Sequence, residues 1–106
     1  MEDSVKLQMI KNLLGITHSD EDTILQTYLT MAEKEIITWY YGANTDVTTV
    51  PSKFEMIQVQ AVVIGFNLNG AEGQTTHTEN GIGRAFKYAD MIEYIHAHVP
   101  SFAIVG

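Results

Sequence analysis

The sequence predicts a mainly α-helical protein, a small bundle of about four helices with a β-hairpin or extended loop projecting near residues 73–88. Two observations support this fold class. Apolar side chains recur at helical spacing in four segments, whereas residues 73–88 lose that period and contain Asn80-Gly81, a strong hairpin-turn signal. At 106 residues the chain suits one compact domain over 1–106. The predicted helices lie near residues 4–14, 20–41, 52–70 and 90–98.

The first, second and last helices have recognisable ends. Gly15 is predicted to end the first helix as a left-handed cap, Ser19 to cap the second, and Asp90 to cap the last. The acids at 20–22 suit a first helical turn, and a calcium loop is disfavoured because its glycine and alternating ligands are missing. The predicted apolar face of the second helix consists of Ile24, Leu25, Tyr28, Leu29, Ala32, Ile36, Trp39 and Tyr40.

The third helix carries two apolar stripes at spacings of three and four residues. One stripe is enough to pack a helix onto its own domain, so two stripes indicate burial on two sides. The second side is either inside the bundle or against another subunit, and we predict a subunit contact for part of the second stripe. The first stripe is Phe54, Ile57, Ala61, Ile64 and Leu68, and the second is Met56, Val59, Val63 and Phe66.

Composition excludes several function classes. Thirteen acids against six bases give a net charge of −7, which repels DNA phosphate and disfavours a nucleic-acid-binding protein. The absence of cysteine excludes disulfides and thiolate zinc sites. The first ten residues do not resemble a signal peptide, and the apolar segment 56–68 is too short and polar to span a bilayer. We therefore expect a soluble protein of the cytosol where it is made, with no membrane partner.

No catalytic or cofactor motif is complete. Residues 81–83 lack the third glycine of a dinucleotide loop, and Ala71-Glu72 replaces the Lys-Ser/Thr that a P-loop needs after Gly65 and Gly70. Glu93-x-x-His96 matches half of a di-iron motif whose other ligands are missing. We predict no enzyme activity, no cofactor and no metal, and we interpret the histidines as surface residues. These are His18, His77, His96 and His98.

The segment 72–88, hereafter the arm, is predicted to contact a neighbouring subunit, with the Asn80-Gly81 turn at its tip. A two-stranded hairpin is marginally stable alone in water, so it needs a surface on which to lie. Its aromatic and aliphatic side chains supply apolar area, and Arg84 can pair bidentately with an acid. The predicted contact residues are Asn80, Gly81, Ile82, Arg84, Phe86 and Tyr88 of the arm, together with Met56, Val59, Val63 and Phe66 of the third helix.

Nearly the whole chain resembles a known family. The residues that carry the resemblance are "LGITHSDEDTILQTYLTMAEKEIITWYYG", the mostly apolar third helix, and "EGQTTHTENGIGRAFKYADMIEYI". They resemble the small head–tail connector proteins (adaptor or head-completion proteins) of long-tailed bacteriophages and prophages, often labelled DNA-packaging proteins. The more distinctive element is the glycine-rich segment with Glu-Asn-Gly-Ile, followed by Arg84 and Phe86.

The resemblance implies a structural role in the virion at the head–tail junction, after synthesis in the bacterial cytoplasm. Protomers of such proteins form a ring, typically dodecameric, beneath the portal protein. The ring extends the DNA channel and receives a stopper or tail-completion protein, without catalysis, cofactor or specific DNA binding. An acidic channel would let DNA slide through, because few phosphate contacts form. Two other classes stay open: a small helical regulatory or antitoxin-like module without a virion role, and a bundle with an apolar pocket for a small molecule.

Overall fold

The computed structural model describes residues 1–72 and 90–102, with side chains described for 1–68 and 90–102, and this part of the chain is mainly helical. The predicted fold class is thereby confirmed. No strand occurs in the described ranges, and the predicted hairpin at 73–88 lies outside them. The helices are α1 (Asp3–Leu14), α2 (Asp22–Tyr41), α3 (Glu55–Glu72), preceded by a 3-10 turn at Ser52–Phe54, and α4 (Met91–His98).

Two of the three predicted caps are confirmed. Gly15 follows α1 at φ 73° and ψ 25°, a left-handed conformation that costs glycine little. The Asp90 carboxylate accepts a 2.7 Å hydrogen bond from the backbone N–H of Glu93 at the start of α4. The prediction for Ser19 is wrong. Its backbone carbonyl, rather than its side chain, accepts a bond from the N–H of Asp22, and the helix begins two residues later than predicted.

Helix α3 lies at the centre of the bundle and packs against α1, α2 and α4. Its fully buried side chains lie between the two predicted stripes as well as on them, because Gln58 and Val62 are as buried as Val59 and Ala61. The stripes are therefore the two edges of one broad buried face. Of the two alternatives for the second stripe, the structure shows burial inside the bundle for Val59.

The core joins all four helices. Its largest buried side chains include Ile10 of α1, Leu29 and Ile36 of α2, and Ile95 of α4. Trp39 and Tyr40 pack against this core, half-buried, as the apolar stripe of α2 predicts. Ile24 is an exception, since its side chain is 45% exposed. The buried face of α2 includes Ile37 instead.

Close packing of α3 against α4 depends on a glycine. A Cβ atom at Gly65 would lie 3.3 Å from the Cβ atom of Met91, closer than most side-chain contacts. Glycine in a helix costs about 1 kcal/mol relative to alanine. The close approach of the buried Met91 side chain accounts for glycine at this position. This contact fixes the start of α4 on α3, and so brings together the two helices that flank residues 73–89.

Candidate functional site

The described part of the predicted contact surface is smaller than the sequence indicates. Met56 is 46% exposed, whereas Val63 and Phe66 are half-buried and pack against the core. Val59 has no exposed surface, so its prediction as a subunit-contact residue is corrected. Its side chain is enclosed by the protomer's own helices and can touch no other subunit. The six predicted contact residues of the arm, Asn80, Gly81, Ile82, Arg84, Phe86 and Tyr88, lie outside the described residues.

A buried polar network joins α1, α2 and α3. The Lys6 ammonium, on a residue only 3% exposed, donates to Oε1 of Gln58 at 2.6 Å. The Gln58 amide in turn donates to the backbone carbonyl of Leu29 at 3.0 Å. The carboxylate of Glu55 lies 3.7 Å from the same ammonium. One glutamine therefore links three helices, and each buried polar group of the pair has a partner, as burial requires.

Sequence reasoning did not find this network. Neither Lys6 nor Gln58 belongs to a motif or to an apolar stripe of the sequence. A signal was present, however. Lys6 stands one turn before Ile10 on the buried side of α1, and Gln58 stands between the two apolar stripes of α3. A polar residue at the centre of an apolar face indicates a buried partner on another helix.

Glu55 lies at the edge of this network with its side chain 13% exposed. A hydrogen bond from the N-terminal ammonium, at 2.9 Å, is the main reason that the pKa of the Glu55 carboxyl lies below its usual 4.5. Partial burial opposes this effect, and the positive charges of the N-terminus and Lys6 add to it. The Glu55 carboxylate is thus stabilised in its ionised form by two cations, the Lys6 ammonium of α1 and the N-terminal ammonium that precedes this helix.

Replacing Glu55 by Gln should flatten the acid dependence of stability. A carboxyl whose pKa is lowered in the folded state stabilises the protein at pH values above its unfolded pKa, here the usual 4.5. That stability is lost as pH falls through the folded pKa. Urea midpoints measured from about pH 6 to about pH 3 should therefore fall more steeply for the wild type than for Glu55→Gln. The exposed loop variant Asp46→Asn is the control, and equal slopes for wild type and Glu55→Gln would contradict the prediction.

A second cluster fastens α4 to α2. Nε2 of His96 lies 2.6 Å from the Glu35 carboxylate, and the imidazole stacks on the Trp39 indole with ring centroids 3.6 Å apart and planes 12° apart. The indole N–H donates to the carbonyl of Val99 at 2.7 Å. The His96 side chain lies at the surface, 34% exposed, and is held there by two residues of α2. By contrast, the side chain of His18 is 54% exposed.

The exposed side of α2 is the most extended unusual surface among the described residues. It carries three large apolar side chains, since Ile24, Met31 and Tyr41 are 45%, 47% and 40% exposed. It carries no acid, although the chain has a net charge of −7. We call this surface the outer face of α2. Its exposed residues are Thr23, Ile24, Thr27, Thr30, Met31, Lys34, Thr38 and Tyr41.

Other kinds of site find little support in the described part of the chain. No group of three or more potential metal ligands occurs there. No helix in the described part of the chain is both long enough and apolar enough to span a membrane. One groove between the start of α1 and the residues before α3 is lined by Glu2, Asp3, Glu33 and Glu55, which is unlike an apolar ligand pocket.

The fold and its surfaces define a small helical bundle with an apolar, acid-free outer face. Residues 4–98 match the family model of the phage gp6-like head-tail connector proteins. The match covers most of the chain, and the protein belongs to this family. Its members are structural phage proteins, so the chain has a structural role in joining head and tail. Comparison with curated proteins and with solved structures finds no significant match.

Proposed function

We propose that the protein forms a ring beneath the portal, joins the phage head to the tail, and extends the DNA channel. The ring, dodecameric in the virion, binds the portal on one side and a stopper or tail-completion protein on the other. The observation that carries this proposal is the family match over residues 4–98. The mainly helical fold and the exposed apolar side chains agree with a protein that works by assembly.

The arm supplies the contact between neighbouring subunits in this proposal. Ordering its residues costs about 1 kcal/mol each in backbone entropy, which two bare strands do not offset. Both flanking helices are fixed on the protomer, α3 by its central position and α4 by the contacts of Gly65 and of His96. The arm can therefore be shortened or altered while the two helices that flank it stay in place.

The acidic composition suits passage of DNA through the ring. With thirteen acids and six bases, a channel formed by many copies presents few cations to phosphate, so DNA moves without being retained. The groove lined by Glu2, Asp3, Glu33 and Glu55, which also contains Lys6, is our candidate for the side that faces DNA. The protein needs no cofactor for this role.

Deleting residues 75–85 should abolish assembly and leave the protomer folded. The same result is expected from the double variant Arg84→Ala/Phe86→Ala, because it removes the charged and aromatic contacts that we assign to the arm. Assembly is measured by sedimentation with and without purified portal and by electron microscopy of rings, and folding by circular dichroism. Thr78→Ala, in the same segment, is the matched control.

Two outcomes would contradict the proposal in different ways. If the deletion unfolds the protomer, the arm belongs to the protomer's own core and contacts no neighbour. If the wild-type protein binds no portal and forms no ring at any concentration tested, the ring itself is wrong.

A further inference from the structure

We propose that the outer face of α2 is a self-association surface, through which two copies of this chain pair with their α2 helices antiparallel. This inference is independent of the ring and of the arm. It rests on the exposure, the charge and the spacing of the residues on this face.

Three of the eight exposed side chains on this face are large and apolar, and four of the other five are threonines. Ile24 and Met31 are about half exposed in the protomer, and Tyr41 is 40% exposed. The hydroxyl of Thr27 donates to the carbonyl of Thr23 at 2.9 Å, so its hydrogen-bonding need is met within the helix. Thr30 makes the equivalent bond to Gln26. Such threonines add methyl groups to the face without requiring water.

Charge repulsion between two copies of the chain is weakest when they approach each other through this face. Two chains that each carry −7 repel one another, and the repulsion is least where a surface carries no acid. Lys34 is the only charged residue on the outer face. Three acids of α2 border the face. Asp22 binds Lys11 at 2.8 Å and Glu35 binds His96 at 2.6 Å, whereas Glu33 lies in a groove beside Lys34 and Thr38.

The spacing is that of a helix-pairing seam. Two sets of residues recur at intervals of seven, which places them in one stripe that a partner helix can follow. The stripe is self-complementary when two copies are antiparallel about a two-fold axis between Ala32 and Glu33. Ile24 then lies opposite Tyr41 of the second copy, Thr27 opposite Thr38, and Met31 opposite the aliphatic part of Lys34. The sets are Ile24, Met31 and Thr38, and Thr27, Lys34 and Tyr41.

The size of the stripe predicts weak and reversible pairing. From Ile24 to Tyr41 it is about 26 Å long, and at one helix diameter, about 10 Å, it offers on the order of 300 Å² per copy. Stable interfaces bury roughly 800 Å² per partner. We therefore expect a dimer that depends on protein concentration and leaves the rest of the surface free for other contacts.

Cysteine crosslinking tests this geometry, because the chain has no native cysteine. Thr27→Cys protein is mixed with Thr38→Cys protein of a different tag length under mild oxidation. Antiparallel pairing places position 27 of one copy opposite position 38 of the other. The two copies of position 27 then lie about 16 Å apart along the helix axis, as do the two copies of position 38. Disulfides require Cα atoms within about 7 Å. We expect at least tenfold more mixed dimer than either homodimer.

A pair of glutamate variants controls the experiment. Met31→Glu, added to both cysteine proteins, should abolish the mixed dimer because it places an acid at the centre of the stripe. Val5→Glu is the matched control, since Val5 is as exposed as Met31 but lies on α1 outside every proposed contact, and it should leave crosslinking unchanged. Homodimers of Thr27→Cys in equal yield, or no response to Met31→Glu, would overturn the proposal, as would an absence of mixed dimer.

Discussion

Replacing Gln58 by Leu should lower the free energy of unfolding by about 3 kcal/mol, although it puts an apolar residue into an apolar core. The Lys6 ammonium loses its 2.6 Å acceptor and stays buried, with the Glu55 carboxylate 3.7 Å away. The Leu29 carbonyl loses the amide that binds it as well. A hydrogen bond to a charged group is worth about 1.5–3 kcal/mol, and an unpaired buried charge adds to the loss.

The double variant Lys6→Met/Gln58→Leu separates the cost of a broken pair from the value of the pair itself. With both polar groups replaced, stability should return to within about 1 kcal/mol of the wild type, because no buried group is left without a partner. Gln60→Leu, a half-buried glutamine on the same helix, is the control and should change stability by about 0.5 kcal/mol or less. Urea unfolding of the wild type, Lys6→Met, Gln58→Leu and the double variant measures the coupling between the two side chains. Additive effects of Lys6→Met and Gln58→Leu would show that the two side chains do not interact.

Replacing Trp39 by Ala should cost about 3 kcal/mol and release α4 from α2. The change removes the ring that stacks on His96 and the N–H that binds the Val99 carbonyl. Trp39→Phe keeps an aromatic ring but loses the N–H, so it should cost about 1 kcal/mol. Urea unfolding measures both variants. An eight-residue helix does not persist alone in water, so amides of α4 should also exchange hydrogen faster than those of α3.

The contrast between the two Trp39 variants identifies which contact holds α4. Equal losses for Trp39→Ala and Trp39→Phe would assign the effect to the N–H bond and leave the ring stack without a contribution. His96→Ala supplies an independent check, because it removes the other ring of the stack and the partner of Glu35. Its effect on α4 exchange should resemble that of Trp39→Ala. Unchanged exchange in all three variants would show that α4 is held by its apolar contacts alone.

The sequence by itself determined the features that depend on neighbouring residues. Four helices were predicted from apolar spacing, and their ends agree with the structure within a few residues. Gly15 and Asp90 were predicted as caps because a cap depends on one side chain and the adjacent turn. The family was recognisable for a similar reason, since its motifs are continuous stretches of sequence. The predicted arm and its contact residues stay predictions.

Only the tertiary structure decided which polar groups meet and which apolar residues stay exposed. Lys6 and Gln58 are 52 residues apart, and Glu35 and His96 are 61 apart. Whether such residues touch depends on the rotation of each helix about its own axis, which a stripe of apolar residues defines only to within about a quarter of a turn. The same uncertainty in helix rotation explains why the sequence did not predict that Ile24 is exposed and that Val59 is buried inside the protomer. Close packing of α3 against three other helices removes this uncertainty in rotation. Only one rotation of α3 about its axis buries Gln58 with a partner and leaves room for Met91 at Gly65.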